Sequence, residues 1–146
     1  MDNRIAYNEV APEEIELMYQ MEKQLKKANV DRRLRELIKI RASQINGCAY
    51  CLAMHTSDAR KLGVSEEEIF LLNAWEDTNI YSKKDKLALE LTEAITLIAS
   101  AGVPDALYES VREEFSEEEY TGLVLTINQI NMWNRLSISM GNQHNV

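Results

Sequence analysis

Turn-forming residues are scarce: two prolines and five glycines stand in a chain of 146 residues. So few argue against a β-sandwich or a loop-rich scaffold and leave an α-rich class in the lead. No apolar run approaches the roughly 18 residues that a membrane-spanning helix requires, so no membrane partner is expected. The first residues lack the basic start and apolar stretch of a secretory signal, which points to a reducing, cytoplasmic location. Positive charge is also in deficit. Sixteen Lys and Arg face 24 Asp and Glu, a net charge of -8, and a nucleic-acid partner would require clustered positive charge. Half of the cations do fall between Lys23 and Arg41, a run that reads as solvated helix faces. Only two cysteines occur. In a reducing compartment such a close pair points to redox or metal chemistry more than to a structural staple.

What is present is helical punctuation. The apolar spacing of Ile15, Met18, Tyr19 and Leu25 predicts a first helix over Pro12 to Ala28. A second runs from an Asp31 N-cap to Ile45, with Leu34, Leu37, Ile38 and Ile45 on its apolar side, and breaks at Asn46-Gly47. Cys48 opens a third, which ends near Leu62 with Gly63 just beyond. Ser65 with Glu68 forms a capping box for a short helix through Leu72. Lys83 to Ser100 follows, with Leu87, Leu91, Ile95 and Ile98 expected to be buried, and then a helix from Pro104 to Glu114. A second box, Ser116 with Glu119, launches a long final helix to Met140. That helix is apolar on more than one side, so it is expected to be wrapped by its own domain and shared with a neighbouring subunit. No strand-like alternation, repeat or linker competes. The expectation is one all-α domain over residues 1–146, with seven or so helices.

The chemistry concentrates in Asn46-Gly47-Cys48-Ala49-Tyr50-Cys51-Leu52-Ala53-Met54-His55. Cys48 and Cys51 are three apart and Cys51 and His55 four apart, so a helix presents all three on one face. Thiols at this spacing can reach disulfide geometry where the helix start lets the first turn inward. The helix N-terminus favours thiolate over thiol, and His55 can take the proton from Cys51 or hold its thiolate. Glu36 lies eleven residues before Gly47 and His55 eight after it. Antiparallel helices about that glycine would bring the two within about 4.5 Å along the axis, close enough for the carboxylate to orient the imidazole. Taken alone, Glu36 would more often be a solvated residue.

Other readings of the same residues are weaker. Two Cys, a His and a Glu could ligate zinc, but structural CxxC ligands usually sit on tight turns and no second CxxC exists. A c-type haem site needs His directly after the second cysteine, where Leu52 stands. A thioredoxin-type motif would follow a strand, and none precedes it. Two buried thiols beside a core histidine is the blandest alternative. Met18, Met21, Met54, Met132 and Met140 read as core filling. His144 falls in a polar tail, and Asn128, Asn131 and Asn134 could line a subunit contact.

Glu36, a gap of eleven residues, Cys48-x-x-Cys51-x-x-x-His55 and the later run Asn131-Met132-Trp133-Asn134-Arg135 together resemble the alkylhydroperoxidase-D-like branch of the carboxymuconolactone decarboxylase superfamily, over about residues 30 to 140. The resemblance implies an all-helical fold assembling as a homotrimer or homohexamer, without a cofactor. It implies a thiol peroxidase or disulfide reductase in which Cys51 is oxidised to a sulfenic acid by a hydroperoxide. Cys48 would resolve it as a disulfide while His55 and Glu36 relay protons, and a dithiol such as a lipoyl group or a thioredoxin-like protein would supply the electrons. Some members carry histidine where this chain has Tyr50, which does not titrate near neutral pH, so a shorter relay is implied. Lactone decarboxylases share the fold but typically lack the cysteine pair. A non-catalytic redox sensor or disulfide-exchange protein and a metal-binding protein are the alternative classes.

Overall fold

Capping residues and apolar stripes divide the chain much as their spacing suggests. The computed structural model describes residues 4–144. In order these form α1 (Tyr7–Val10), α2 (Pro12–Leu25), α3 (Arg32–Asn46), α4 (Ala49–Lys61), α5 (Glu66–Phe70), a 3₁₀ segment (Leu72–Asp77), α6 (Lys83–Thr96), α7 (Asp105–Glu114) and α8 (Glu117–Ser139). No strand occurs among the described residues. None of their helices is long and apolar enough to cross a membrane.

The caps explain where helices begin. Asp31 accepts the Leu34 N–H at 3.0 Å, and Ser65, Ser82 and Ser116 each close a reciprocal capping box with the acidic residue three places on. Such caps satisfy N–H groups that a helix start otherwise leaves open.

Helix α3 is the hub, packed against α4, α6 and α8. Its Leu34 and Ile38 enter one apolar cluster with Leu91, Val111, Leu123 and Ile127 from α6, α7 and α8. Its Leu37 and Ile40 enter a second with Ala59, Leu72, Trp75 and Leu89. Leu37, Ile38 and Ile40 are wholly buried, each worth about 1.5–3 kcal/mol of apolar transfer. With two sides of α3 spent on core, the remaining side carries Arg35, Glu36, Lys39 and Ser43, which are buried as well. The charged run from Lys23 to Arg41 is therefore not all solvated face, because α2, α4 and α8 cover that side of α3.

Four other expectations need correction. Helix α6 stops at Thr96, not Ser100: the backbone turns at Leu97 and tightens towards Gly102, which is left-handed. Ile98 has thus left the helical register and is 59% exposed, and Leu87 and Ile95 are only partly buried. Helix α5 ends at Phe70, and the 3₁₀ segment after it buries Leu72 and Trp75. Met21, Met54 and Met132 are exposed, leaving Met18 as core. Asn131 and Asn134 face inward rather than towards a neighbour. Asn46 Nδ2 donates to both of their Oδ1 atoms at 3.0 and 2.9 Å. Asn134 Nδ2 donates to Ser43 Oγ at 2.9 Å and Asn131 Nδ2 to Thr96 Oγ1 at 3.0 Å. The first three bonds tie the last turn of α3 to α8, and the fourth ties α8 to the end of α6. Asn128 remains exposed.

Candidate active site

The tied end of α3 leads directly into the cysteine turn. Gly47 sits at φ 69°, ψ 35°, a left-handed conformation that costs a residue with a Cβ. Cys48 then turns extended, donates its N–H to the Ser43 carbonyl at 3.0 Å, and becomes the N-cap of α4. Its sulfur accepts the Cys51 N–H at 3.3 Å and is bonded to Cys51 Sγ, with Cα atoms 5.3 Å apart. A cysteine at an N-cap feels the open N–H groups and the positive end of the helix, which stabilise its thiolate.

The reversal at Gly47 lays α4 along α3, so Glu36 and His55 meet as their offset from the glycine suggests. Glu36 Oε2 lies 3.1 Å from His55 Nδ1. Both are buried, as are both sulfurs. Burial by itself would raise the Glu36 carboxyl. The His55 hydrogen bond and the charges of Lys39 and Arg35 outweigh it and hold the group below the ordinary carboxylate range. An ionised carboxylate only accepts, so Nδ1 carries the proton of this bond and Nε2 is left for other partners.

Around this pair lies a cavity of about 240 Å³. Cys51, His55 and Glu36 line it and Cys48 does not, so of the two bonded cysteines only Cys51 borders the space. Aromatic side chains also line it: Tyr7, Tyr50 and the pair Tyr19 and Trp133, whose ring centroids lie 5.2 Å apart at 41°, with Met54 beside them. Ser137 also lines the cavity, and its hydroxyl is buried with no hydrogen-bond partner.

A second charged layer supports the first. Lys39 Nζ stands between Glu22 Oε2 at 3.4 Å and Glu36 Oε1 at 3.8 Å. Trp133 Nε1 donates to Glu22 Oε1 at 3.1 Å. The chain Trp133–Glu22–Lys39–Glu36–His55 thus links α8, α2, α3 and α4. Sequence reasoning missed Lys39, Glu22 and Tyr19. The three-residue spacing of Glu36 and Lys39 places them on one helix face and was the available signal.

A metal could draw on Glu36, His55 and Asp58, whose ligand atoms lie within 4.8 Å of one another. Such an ion would share Glu36 with the Lys39 ammonium, 3.8 Å from its Oε1. The four-ligand zinc arrangement needs two free thiolates, and here the sulfurs are bonded to each other.

Comparison with known proteins agrees with the fold. Residues 12–94 match the carboxymuconolactone decarboxylase family. An uncharacterised Bacillus subtilis protein, YdfG, is 57% identical over 98% of this chain and 97% of its own length. An Agrobacterium tumefaciens protein of unknown function, ATU0492, suggested to be an antioxidant defence protein AhpD, superposes with a TM-score of 0.95 at 36% identity, covering 99% of both chains. The debrominase Bmp8 shares the fold at 18% identity and a TM-score of 0.80, over 89% of this chain and 70% of its own.

Proposed function

Since the chain belongs to the carboxymuconolactone decarboxylase family, in its alkylhydroperoxidase-D-like branch, we propose that it is a thiol peroxidase that reduces hydroperoxides at Cys51. One observation carries this reading: of the two bonded cysteines, the one that lines the cavity is followed one turn later by an imidazole whose Nδ1 is held by an ionised carboxylate.

In the reduced protein His55 draws the proton from Cys51. The thiolate gives an electron pair to the terminal oxygen of ROOH and the O–O bond breaks, leaving Cys51–S–OH and an alkoxide that leaves as ROH with the proton His55 returns. Cys48, as thiolate at the helix start, attacks the Cys51 sulfur. Hydroxide departs as water once protonated, and the disulfide forms. A dithiol such as a lipoyl group or a thioredoxin-like protein then attacks Cys51 from the cavity and releases Cys48. The stabilised thiolate at the N-cap makes Cys48 the better leaving group. The sum is one ROOH and one dithiol converted to ROH, water and one external disulfide. Tyr50 lines the cavity and takes no proton in this scheme.

Assembly as a homotrimer or homohexamer is part of the same proposal. Leu125 and Met132, seven residues apart on α8, are 42% and 50% exposed, which supports a subunit contact along that helix.

The test is single-turnover oxidation followed by steady-state turnover. One equivalent of cumene hydroperoxide should consume both thiols and leave the Cys48–Cys51 disulfide by mass spectrometry. A lipoyl dithiol should then sustain turnover that Cys51→Ser abolishes. Oxidation with no turnover under any dithiol would favour the redox-sensor alternative. Preserved turnover in Cys51→Ser would end the proposal.

A further inference from the structure

Beside the cysteine cavity lies a second cleft, of about 390 Å³, walled by Lys26, Arg32, Arg35 and Lys61. Lys26, Glu36 and Asp58 belong to the walls of both spaces. In a chain of net charge -8, such a concentration of cations beside a reactive centre calls for a physical reason.

Arg35 sharpens the question. Its side chain belongs to the buried side of α3, at 4% exposure, and its Nη1 donates to the Leu25 carbonyl at 3.1 Å. That contact caps the end of α2 and uses one of five N–H groups. No carboxylate of the described residues forms an ion pair with Arg35, Lys26 or Arg32. The two acids in the wall are engaged elsewhere: Asp58 with Lys61 at 3.6 Å, and Glu36 with His55 and Lys39. Glu36 balances part of the Arg35 charge through space but forms no ion pair with it, and burying a guanidinium whose N–H groups lack an oxyanion partner is unfavourable. Its planar fork is shaped for an oxyanion.

We infer that this cleft is an oxyanion subsite, taking a carboxylate or phosphate group of the same molecule that reaches Cys51. This rests on the peroxidase reading and extends it: the hydroperoxide that this chain reduces best carries an anionic group. The shared wall lets one compact molecule occupy both spaces, with its charged end against Arg35, Arg32 and Lys26.

Binding and turnover test it separately. Benzoate and phenyl phosphate are titrated into the oxidised protein by calorimetry, and whichever binds more tightly assigns the anion as carboxylate or phosphate. Lys26→Gln with Arg32→Gln, at exposed positions that lose no ion pair, should weaken that binding by about tenfold, and added salt should weaken it further. In turnover, cumene hydroperoxide carrying a para-carboxylate should show a KM about tenfold below that of its methyl ester. Arg32→Gln alone, which lines the cleft and not the Cys51 cavity, should cut that advantage by raising KM for the acid while leaving kcat and the ester unchanged. No binding of either anion, binding unchanged by the double variant, or equal kinetics for acid and ester overturns the inference while leaving the peroxidase reading intact. Anion binding with no hydroperoxide oxidising the cysteines would retain the subsite and remove that reading.

Discussion

Replacing Glu36 by glutamine keeps the shape of the group that meets His55 and removes its charge. The contact at 3.1 Å changes from a charge-assisted hydrogen bond, worth about 1.5–3 kcal/mol, to a neutral one worth about 0.5–1.5 kcal/mol. Lys39 keeps Glu22 as its partner, so the second charged layer is weakened and not broken. If the lost 1–1.5 kcal/mol or so is expressed where the imidazole takes up charge, oxidation of Cys51 slows by roughly five- to tenfold. Removing the imidazole itself, His55→Ala, should cost about 100-fold, the lower range for a positioned acid–base group. Because Glu36 acts through His55, the double variant should be no slower than His55→Ala alone. The assay is stopped-flow oxidation of the pre-reduced protein by excess cumene hydroperoxide at neutral pH. A Glu36→Gln rate within about twofold of the parent, or a double variant slower than His55→Ala by the same five- to tenfold, would refute the reasoning.

Stability should answer to the polar side of α3 as well. Asn134→Ala removes two hydrogen bonds of 2.9 Å, one buried and one partly buried, a loss of about 1–3 kcal/mol. At roughly 2–4 °C per kcal/mol for a chain of this size, thermal melts should show Tm lower by several degrees, and an unchanged Tm would contradict the tie between α3 and α8. Gly47→Ala should destabilise by about 1–2 kcal/mol through its positive φ alone, since nothing lies within 4 Å of the added carbon. Gly47→Asn should cost less because asparagine tolerates that conformation, and equal losses in denaturant melts would count against this account. The depressed Glu36 carboxyl contributes stability that is present above its ordinary value of 4.5 and lost as pH falls through its lower folded-state value. The gap between parent and Glu36→Gln in urea melts should therefore narrow below pH 4.5, and a gap independent of pH would exclude that contribution.

Much of this was legible from local chemistry. The boxes at Ser65 and Ser116, the Asp31 cap and the glycine after Asn46 act within four residues, and each marks a helix boundary to within a residue or two. The site was legible for the same reason: Cys48, Cys51 and His55 belong to one helix, and the single αL turn at Gly47 fixes how α3 returns past Glu36. What escaped depends on which face a neighbouring helix covers. Lys39 and Arg35 look like solvated charges until α2, α4 and α8 enclose them. Tyr19 fits the apolar stripe of α2 but is 47% exposed, because it stacks on Trp133 at the cavity instead of entering the core. Ile98 fits the spacing of α6 but lies beyond the point where the helix has ended.

The sharpest test concerns where the oxygen lands. In Cys48→Ser, which lacks the second thiol, cumene hydroperoxide followed by a sulfenic-acid trap such as dimedone should place one adduct on Cys51 by peptide mass. In Cys51→Ser the remaining Cys48, which does not line the cavity, should label far more slowly. Faster labelling of Cys48, or no adduct on Cys51 at a peroxide dose that oxidises the parent, would contradict the account at its centre.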